Sequence, residues 1–121
     1  MPRLNVQADL RSYLEEGLPG VPVKVAVPKE FSGELVVVRR DGGGRENALV
    51  DSAGVGIQMW ADTEAEAAEL AERVGDLMQA APFVRGYARV TEESMRSDYD
   101  LYRSRPRWYA SYTIKTYKPK E

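Results

Sequence analysis

The fold of this chain is decided by residues 55–81, which read VGIQMWADTEAEAAELAERVGDLMQAA. Val55, Ile57 and Met59 alternate with a glycine, a glutamine and a tryptophan, which is the period of a β-strand with one face in a core. After Trp60 the apolar residues recur at steps of three and four, which predicts an amphipathic α-helix. This change of period predicts a strand followed by a long helix that packs on a sheet.

Local signals define both ends of the predicted helix. Thr63 and Glu66 form a capping box, because each side chain can accept a hydrogen bond from a backbone amide of the first turn. Pro82 should end the helix, since the residue before a proline avoids α geometry. We therefore predict a helix over residues 63–81. Its apolar stripe comprises Ala67, Leu70, Ala71, Val74, Leu77, Met78 and Ala81.

Upstream of this unit, the pattern predicts a short helix and two strands. Asn5 can cap a helix of apolar residues at helical spacing, and Gly17 ends that helix. Residues 21–27 alternate as a first strand, and residues 35–40 are β-branched and nearly continuous, as in a strand covered on both faces. We expect this second strand to pair antiparallel with residues 55–60, through a flexible connection that begins at residue 41.

Downstream of Pro82, residues 84–91 are predicted as a fourth strand and the polar residues 92–105 as a long loop. Residues 108–117 carry the strongest strand signal in the chain. The predicted core face of that strand comprises Trp108, Ala110, Tyr112 and Ile114. The predicted fold is a single α+β domain over residues 1–121. It has a mostly antiparallel sheet of four to five strands, one long amphipathic helix packed on the sheet, and a short N-terminal helix.

The composition excludes several kinds of chemistry. The 121 residues are 43% hydrophobic and 30% charged, which bounds one folded domain. The sequence contains no cysteine and no histidine, so thiolate chemistry and a histidine base are excluded and the serines have no histidine to activate them. We predict that the chain has no catalytic residue, no metal site and no cofactor. We also expect neither a signal segment at the N-terminus nor a membrane span.

The charges are distributed unevenly along the chain. Residues 41–81 contain two basic and nine acidic residues, a net charge of −7, whereas residues 82–121 contain nine basic and five acidic residues, a net charge of +4. One interpretation is a solvated acidic helix beside a basic C-terminal hairpin. A second is that the two surfaces meet across a subunit boundary, because opposite potentials orient partners. A third is a small nucleic-acid-binding module, in which arginines and flanking aromatic residues bind phosphates and bases.

Two blocks of this sequence resemble the tail-terminator, or tail-completion, proteins of long-tailed bacteriophages, particularly those of actinobacterial hosts. They are VVVRRDGGGRENALVD at residues 36–51 and VGIQMWADTEAEA at residues 55–67, and the YASYTI strand at residues 109–114 fits the same pattern. The resemblance covers roughly residues 4–117. It implies an α+β subunit of a hexameric ring that caps the head-proximal end of the tail tube, ends tube polymerisation and provides the joint to the head connector. It implies no catalysis and no cofactor.

The resemblance also implies partners and a location. The partners are other copies of the chain, the tail tube protein and the head–tail connector or stopper protein, and genomic DNA passes through the lumen without sequence-specific binding. The location is the tail or neck of the virion, and the host cytoplasm during assembly. Another phage neck or head-completion protein is the alternative. The candidate assembly residues are Arg45, Glu46, Asn47, Glu69, Glu72, Arg103, Arg105 and Arg107. The loop at residues 42–47 is expected either to order on docking or to be an ordinary disordered loop.

Overall fold

A computed structural model of the chain describes residues 5–45 and 50–117. Within these residues the chain forms an α+β domain with two helices and five strands. The helices are α1 (Val6–Gly17) and α2 (Glu64–Arg85), and the strands are β1 (Val23–Lys24), β2 (Leu35–Arg45), β3 (Val50–Trp60), β4 (Arg89–Ser97) and β5 (Arg107–Tyr117). The strands form one sheet in the order β1-β2-β3-β5-β4.

The sheet is mixed. β2 pairs antiparallel with β3, with Leu35 opposite Trp60, so the pairing predicted between these two strands is confirmed. β3 pairs antiparallel with β5, and β5 with β4. β1 is instead parallel to β2, with Val23 opposite Val36. The first strand is therefore two residues long rather than the predicted seven at residues 21–27, because the chain must leave the sheet and cross over before a parallel neighbour can begin.

Both helices pack on one face of the sheet and bury one core there. The predicted stripe of α2 is buried, and from Leu70 onwards it belongs to this core, except that Leu77 is partly exposed and packs beside Gly17 of α1. The strands contribute Val36, Val38, Val55, Ile57, Met59, Ala110, Tyr112 and Ile114 to it. Burying aliphatic side chains of this size stabilises a fold by about 1.5–3 kcal/mol each. The core therefore fixes which face of each strand points towards the helices.

A smaller cluster lies on the opposite face of the sheet. Leu35, Val37 and Trp60 are buried there under Val27 and Phe31, which belong to the connection between β1 and β2. The rings of Phe31 and Trp60 meet edge to face, with centroids 5.2 Å apart and planes at 82°. Such pairs contribute about 0.5–1.5 kcal/mol beyond area burial. The crossing connection is thus held down at the end of the sheet where α2 begins.

Helix α2 begins as predicted and ends later than predicted. Thr63 accepts a hydrogen bond from the Glu66 amide at 3.1 Å, so the N-cap is confirmed. The prediction that Pro82 ends the helix is wrong, because α2 continues to Arg85 and ends at Gly86, which has a left-handed φ of 72°. Pro82 removes one hydrogen bond of the helix and leaves the next three residues to complete the final turn. The last turn is also anchored from outside, since Arg85 lies 3.3 Å from a carboxylate oxygen of Asp9.

The segment after α2 also differs from the sequence prediction. The fourth strand occupies Arg89–Ser97 rather than residues 84–91, and residues 92–105 are not one long loop. The first part of that segment belongs to β4, whose polar side chains are those of a strand at the edge of the sheet. The second part, residues 98–105, is a hairpin turn closed by Asp100 and Arg105, whose backbone hydrogen bonds measure 3.0 and 3.2 Å.

The glycine segment after residue 40 is part of a strand rather than a flexible connection. β2 continues to Arg45, and Gly43 pairs with Ala53. Gly43 has a φ of 97°, and a Cβ at this position would overlap the backbone oxygen of Ser52. Only glycine fits at this position. The glycine-rich composition, which is typical of flexible loops, here allows two strands to approach closely.

Candidate assembly surfaces

An open groove runs between α2 and the edge strand β4, with a volume of about 600 Å³. Its floor is mainly apolar and comprises Ala68, Ala71, Met78, Val90, Met95 and Trp108. Gly75 also lines the groove, and a Cβ there would make an ordinary van der Waals contact, at 3.8 Å, with the Met95 methyl carbon. We name this feature the acidic groove, after the carboxylates of Glu72, Asp76 and Glu92 that line it.

Two of the sequence-predicted residues lie on α2. Glu69 and Glu72 are both exposed, as expected for the polar side of an amphipathic helix. Glu72 lines the acidic groove, where Asp76 follows one turn later. Carboxylates at this spacing repel each other weakly, and a cationic partner relieves that repulsion. The acidic charge of residues 41–81 is therefore partly concentrated beside an apolar floor.

Tyr112 spans the floor of the acidic groove. Its hydroxyl donates a 2.8 Å hydrogen bond to Glu92 of the neighbouring strand β4. Burial raises the pKa of the Tyr112 phenol well above its ordinary value, and the hydrogen bond to the Glu92 carboxylate raises this pKa further. The phenol is therefore protonated at neutral pH and holds Glu92 at the rim of the groove.

Strand β4 is unsuited to accept a further strand at its outer edge. Its pairing with β5 shifts register between Glu92 and Ser94, which leaves Glu93 as a bulged residue. Bulges and charged side chains on an edge strand prevent edge-to-edge pairing. A partner at this side of the molecule is therefore expected to enter the acidic groove with side chains rather than to extend the sheet.

The turn between β4 and β5, residues 98–105, presents large apolar side chains to solvent. Leu101 is 84% exposed and Tyr102 is 91% exposed. The backbone that carries them is constrained, because the Tyr102 amide donates to Asp100 Oδ1 at 3.1 Å and the turn closes through backbone hydrogen bonds between Asp100 and Arg105. Ser104 completes the turn with a left-handed φ of 52°. We name this feature the aromatic turn.

Arg105 is the innermost of the three predicted arginines. Its guanidinium donates to the carbonyls of Phe31 at 3.2 Å and Gly33 at 2.8 Å, and to Asp62 Oδ1 at 2.7 Å. It also stacks 4.4 Å from the centroid of the Phe31 ring. The side chain retains only 15% of its accessible area. Arg105 therefore joins the aromatic turn to the connection before β2 and to the residues before α2.

Arg107 and Arg103 surround Trp60. Arg107 pairs with Asp98 at 2.8 Å, and its guanidinium lies 4.9 Å from the Trp60 ring centroid. Arg103 lies 5.6 Å from the same centroid and pairs with Asp100 at 3.3 Å, while about a third of its side chain stays exposed. Of these two arginines, Arg103 is the better placed to reach a neighbouring molecule.

Of the remaining predicted residues, the structure describes only Arg45, which lies at the end of the β2–β3 pair away from Trp60. Arg45 is the last residue of β2 and lies opposite Asp51 of β3 in the backbone register. Glu46 and Asn47 lie outside the described residues, as do positions 48 and 49. The structure thus separates Arg45 from Arg103, Arg105 and Arg107, which lie at the Trp60 end of the sheet.

No protein-family model matches this sequence. A comparison with curated proteins also finds no match. The resemblance to phage tail terminators therefore stays a prediction that depends on the sequence blocks quoted above.

Residues 5–45 and 50–117 lack two further features. No helix in these ranges is long and apolar enough to cross a membrane. Within the same part of the chain, no group of three or more acidic residues is arranged to hold a metal ion.

Among the described residues, the three that expose most of a large apolar side chain were not among the predicted assembly residues, although Tyr102 was one of the aromatic residues that suggested nucleic-acid binding. Leu101 and Tyr102 fell in a segment predicted as a polar loop, and Phe83, which is 89% exposed, fell beyond the predicted end of α2. A large apolar residue inside a polar segment is the only signal that could have marked the aromatic turn. The acidic groove had no such signal, because the residues that line it come from one helix and two strands.

Proposed function

We propose that this protein is a tail terminator of a long-tailed bacteriophage. Copies of the chain, six in number by the family resemblance, form a ring that caps the head-proximal end of the tail tube, ends its polymerisation and joins it to the head connector. One observation carries the proposal from the structural side: the chain exposes two chemically unlike surfaces, the acidic groove and the aromatic turn. A subunit of a ring requires two different contact surfaces of this kind.

The other partners follow from this role. The tail tube protein binds one side of the ring and the connector or stopper protein the other, and DNA passes through the lumen without sequence-specific contacts. The end of the β2–β3 hairpin, where Arg45 precedes Glu46 and Asn47, is our candidate for one of these axial contacts. Its distance from the aromatic turn suits it to a partner other than the neighbouring subunit. The site of action is the neck of the virion, after assembly in the host cytoplasm.

The test is a capping assay with the tail tube protein of the same genome. Tube polymerisation is started in the presence of this protein, and tube lengths are measured by electron microscopy. We expect short tubes with a ring at one end, and the number of tubes that stop growing should follow the amount of added protein. Continued growth of tubes that carry no ring would refute the proposal. A head-completion protein, the alternative role, would bind the connector and leave tube length unchanged.

A small nucleic-acid-binding module is the second candidate, and one observation favours it. The sheet face opposite the helices carries Arg96, whose guanidinium lies 5.1 Å from the Tyr109 ring centroid, and Arg89 opposite Lys115. Cationic and aromatic side chains on a sheet bind single strands by charge and stacking. The measurement is DNA binding as a function of salt. A binding constant that falls steeply with salt and is lowered by Arg96→Ala supports this role, and the absence of retention at low salt excludes it.

A further inference from the structure

The aromatic turn is a constrained projection. Its four-residue tip lies between Asp100 and Arg105, whose backbone groups bond at 3.0 and 3.2 Å, and the Asp100 carboxylate caps the tip by accepting the Tyr102 amide. Leu101 and Tyr102 thus extend into solvent from a backbone that is already ordered. The turn therefore loses little conformational entropy when a partner binds them, which favours these residues as binding anchors.

The acidic groove is a matching cavity on the same chain. A volume of about 600 Å³ is within the range of roughly 300–1,000 Å³ that holds ligands larger than one tyrosine and one leucine side chain together. Leu101 and Tyr102 do not line the groove of their own chain. The floor is apolar around Met95 and Trp108, so it suits an apolar guest.

Charge selects the occupant of the groove. Its lining includes the carboxylates of Glu72, Asp76 and Glu92, so an apolar guest with an adjacent cation is favoured over a neutral or acidic one. The aromatic turn carries such a cation in Arg103, directly after Tyr102, and Arg103 keeps about a third of its side chain exposed. The bulge at Glu93 disfavours an added strand, so the contact is made by side chains.

We propose that the aromatic turn of one copy inserts into the acidic groove of the next, with Leu101 and Tyr102 on the apolar floor and Arg103 facing Glu72 and Asp76. The contact deepens the ring proposed above and rests on that function. It joins two different surfaces, so it is heterologous and repeats from copy to copy until the ring closes. Glu92, held by Tyr112, lies on the other wall of the groove.

The chain contains no cysteine, which allows a crosslinking test with single introduced thiols. Leu101→Cys places a thiol on the aromatic turn, and Gln79→Cys places one on the exposed lining of the acidic groove. The two proteins are mixed at high concentration with a short bismaleimide crosslinker. We expect covalent dimers in the mixture and monomers when either protein is treated alone. A chain that carries both thiols should give a ladder that ends at the ring number.

The matched control replaces Leu101→Cys by Phe83→Cys, which is similarly exposed but lies in the last turn of α2, whereas the aromatic turn lies near the start of that helix. This control should give no dimers with Gln79→Cys. Equal crosslinking of the control, or of each single variant with itself, would overturn the proposed contact, as would a mixture that stays monomeric. A protein that caps tubes without this crosslink retains its tail role and loses this contact. A protein that crosslinks as expected and never caps tubes retains the contact and loses the tail role.

A second measurement does not depend on crosslinker geometry. Leu101→Ala combined with Tyr102→Ala removes two exposed side chains and leaves the turn backbone intact, so the fold is preserved. We expect the self-association constant from sedimentation to fall by about tenfold or more, as for removal of interface anchors. Phe83→Ala serves as the control and should change it by less than about twofold. Equal effects of both changes would count against the aromatic turn.

Discussion

At the residue scale, the phenol of Tyr112 links protonation to stability. Burial raises the pKa of this phenol above the ordinary value of 10.0, and the Glu92 carboxylate raises it further. The protonated form is thus favoured in the folded chain, so its contribution to stability is complete below pH 10.0 and is lost as pH rises above that value. Tyr13 and Tyr87 also have raised pKa values, mainly through burial, and act in the same direction.

We predict that the free energy of unfolding of the wild-type chain decreases above pH 10.0. Tyr112→Phe should make this decrease smaller, because the substituted side chain has no proton to lose. Urea midpoints measured at a series of alkaline pH values test this, with Tyr109→Phe on the other face of the sheet as the control. An equal decrease of the free energy of unfolding at alkaline pH in the wild type and in Tyr112→Phe would contradict the assignment of this decrease to Tyr112.

Gly43 is a second residue whose substitution is expected to change stability, because even one added carbon atom, a Cβ, does not fit there. Its φ of 97° and the position of the Ser52 backbone oxygen, which a Cβ would overlap, exclude any side chain without backbone movement. We predict that Gly43→Ala lowers the free energy of unfolding by about 1–3 kcal/mol or more, through backbone strain. The neighbouring Gly42 has nothing within 4 Å of its Cβ position, so Gly42→Ala is the matched control. Equal midpoints in chemical denaturation for the two variants would show the strain to be absent.

At the scale of elements, α2 is attached to the sheet by its buried stripe. Leu70 is fully buried in the main core, whereas its neighbour Glu69 is exposed. Leu70→Ala should therefore cost about 2–5 kcal/mol through lost contacts and a cavity. Glu69→Ala should change stability by about 0.5 kcal/mol or less. Equilibrium unfolding in urea measures both, and an unchanged midpoint for Leu70→Ala would refute the packing of the helix.

The aromatic turn depends on Arg105 for its position. This side chain donates to two backbone carbonyls and to Asp62, so its removal leaves acceptors in a partly buried region. We predict that Arg105→Ala costs about 1.5–3 kcal/mol, as for a charged hydrogen-bond partner. Arg89→Ala, at an exposed arginine of β4, is the control. Charge reversal at Arg105 could therefore abolish assembly by disturbing the fold rather than the contact between subunits. Arg103 is the better position for a charge reversal that tests the subunit contact.

At the scale of the whole molecule, the sheet separates two kinds of surface. The helix side carries the acidic groove, and the opposite face carries Arg96 and Arg89. Exposed ion pairs contribute only about 0–1 kcal/mol each, so the apolar anchors must supply most of the binding energy and charge must mainly orient the partners. If charge mainly orients the partners, salt should affect the rate of assembly more than the stability of the ring.

We predict that salt slows assembly more than it weakens the assembled ring. Screening over a Debye length of about 8–10 Å at moderate salt reduces the steering of an arginine towards carboxylates and leaves apolar contacts in place. Light scattering with rising sodium chloride measures the association rate, and dilution measures dissociation. The charge swap of Arg103→Glu with Glu72→Arg should restore association that either change alone reduces. A salt effect confined to dissociation would argue against electrostatic steering.

The local patterns that the sequence determined by itself are those with a strong period or a specific cap. The change of period at residues 55–81 located β3 and α2, Thr63 capped α2, and the alternation of β5 identified its buried face. These features depend on neighbours in the chain, because capping and amphipathic periodicity act over about four residues. The candidate arginines were likewise visible as a basic segment next to aromatic residues.

The tertiary structure alone decided the features that join distant segments. Pro82 lies within α2, whose last turn is held by Asp9 of α1, and the glycines of residues 42–44 lie in a strand because Gly43 meets Ser52. Arg105 became a structural anchor because Phe31, Gly33 and Asp62 converge on it. The acidic groove exists only where a helix and two strands come together. The residues that make these contacts lie far apart in sequence, so no local period or propensity encodes the contacts. Packing alone determines which exposed side chains remain available to a neighbouring molecule.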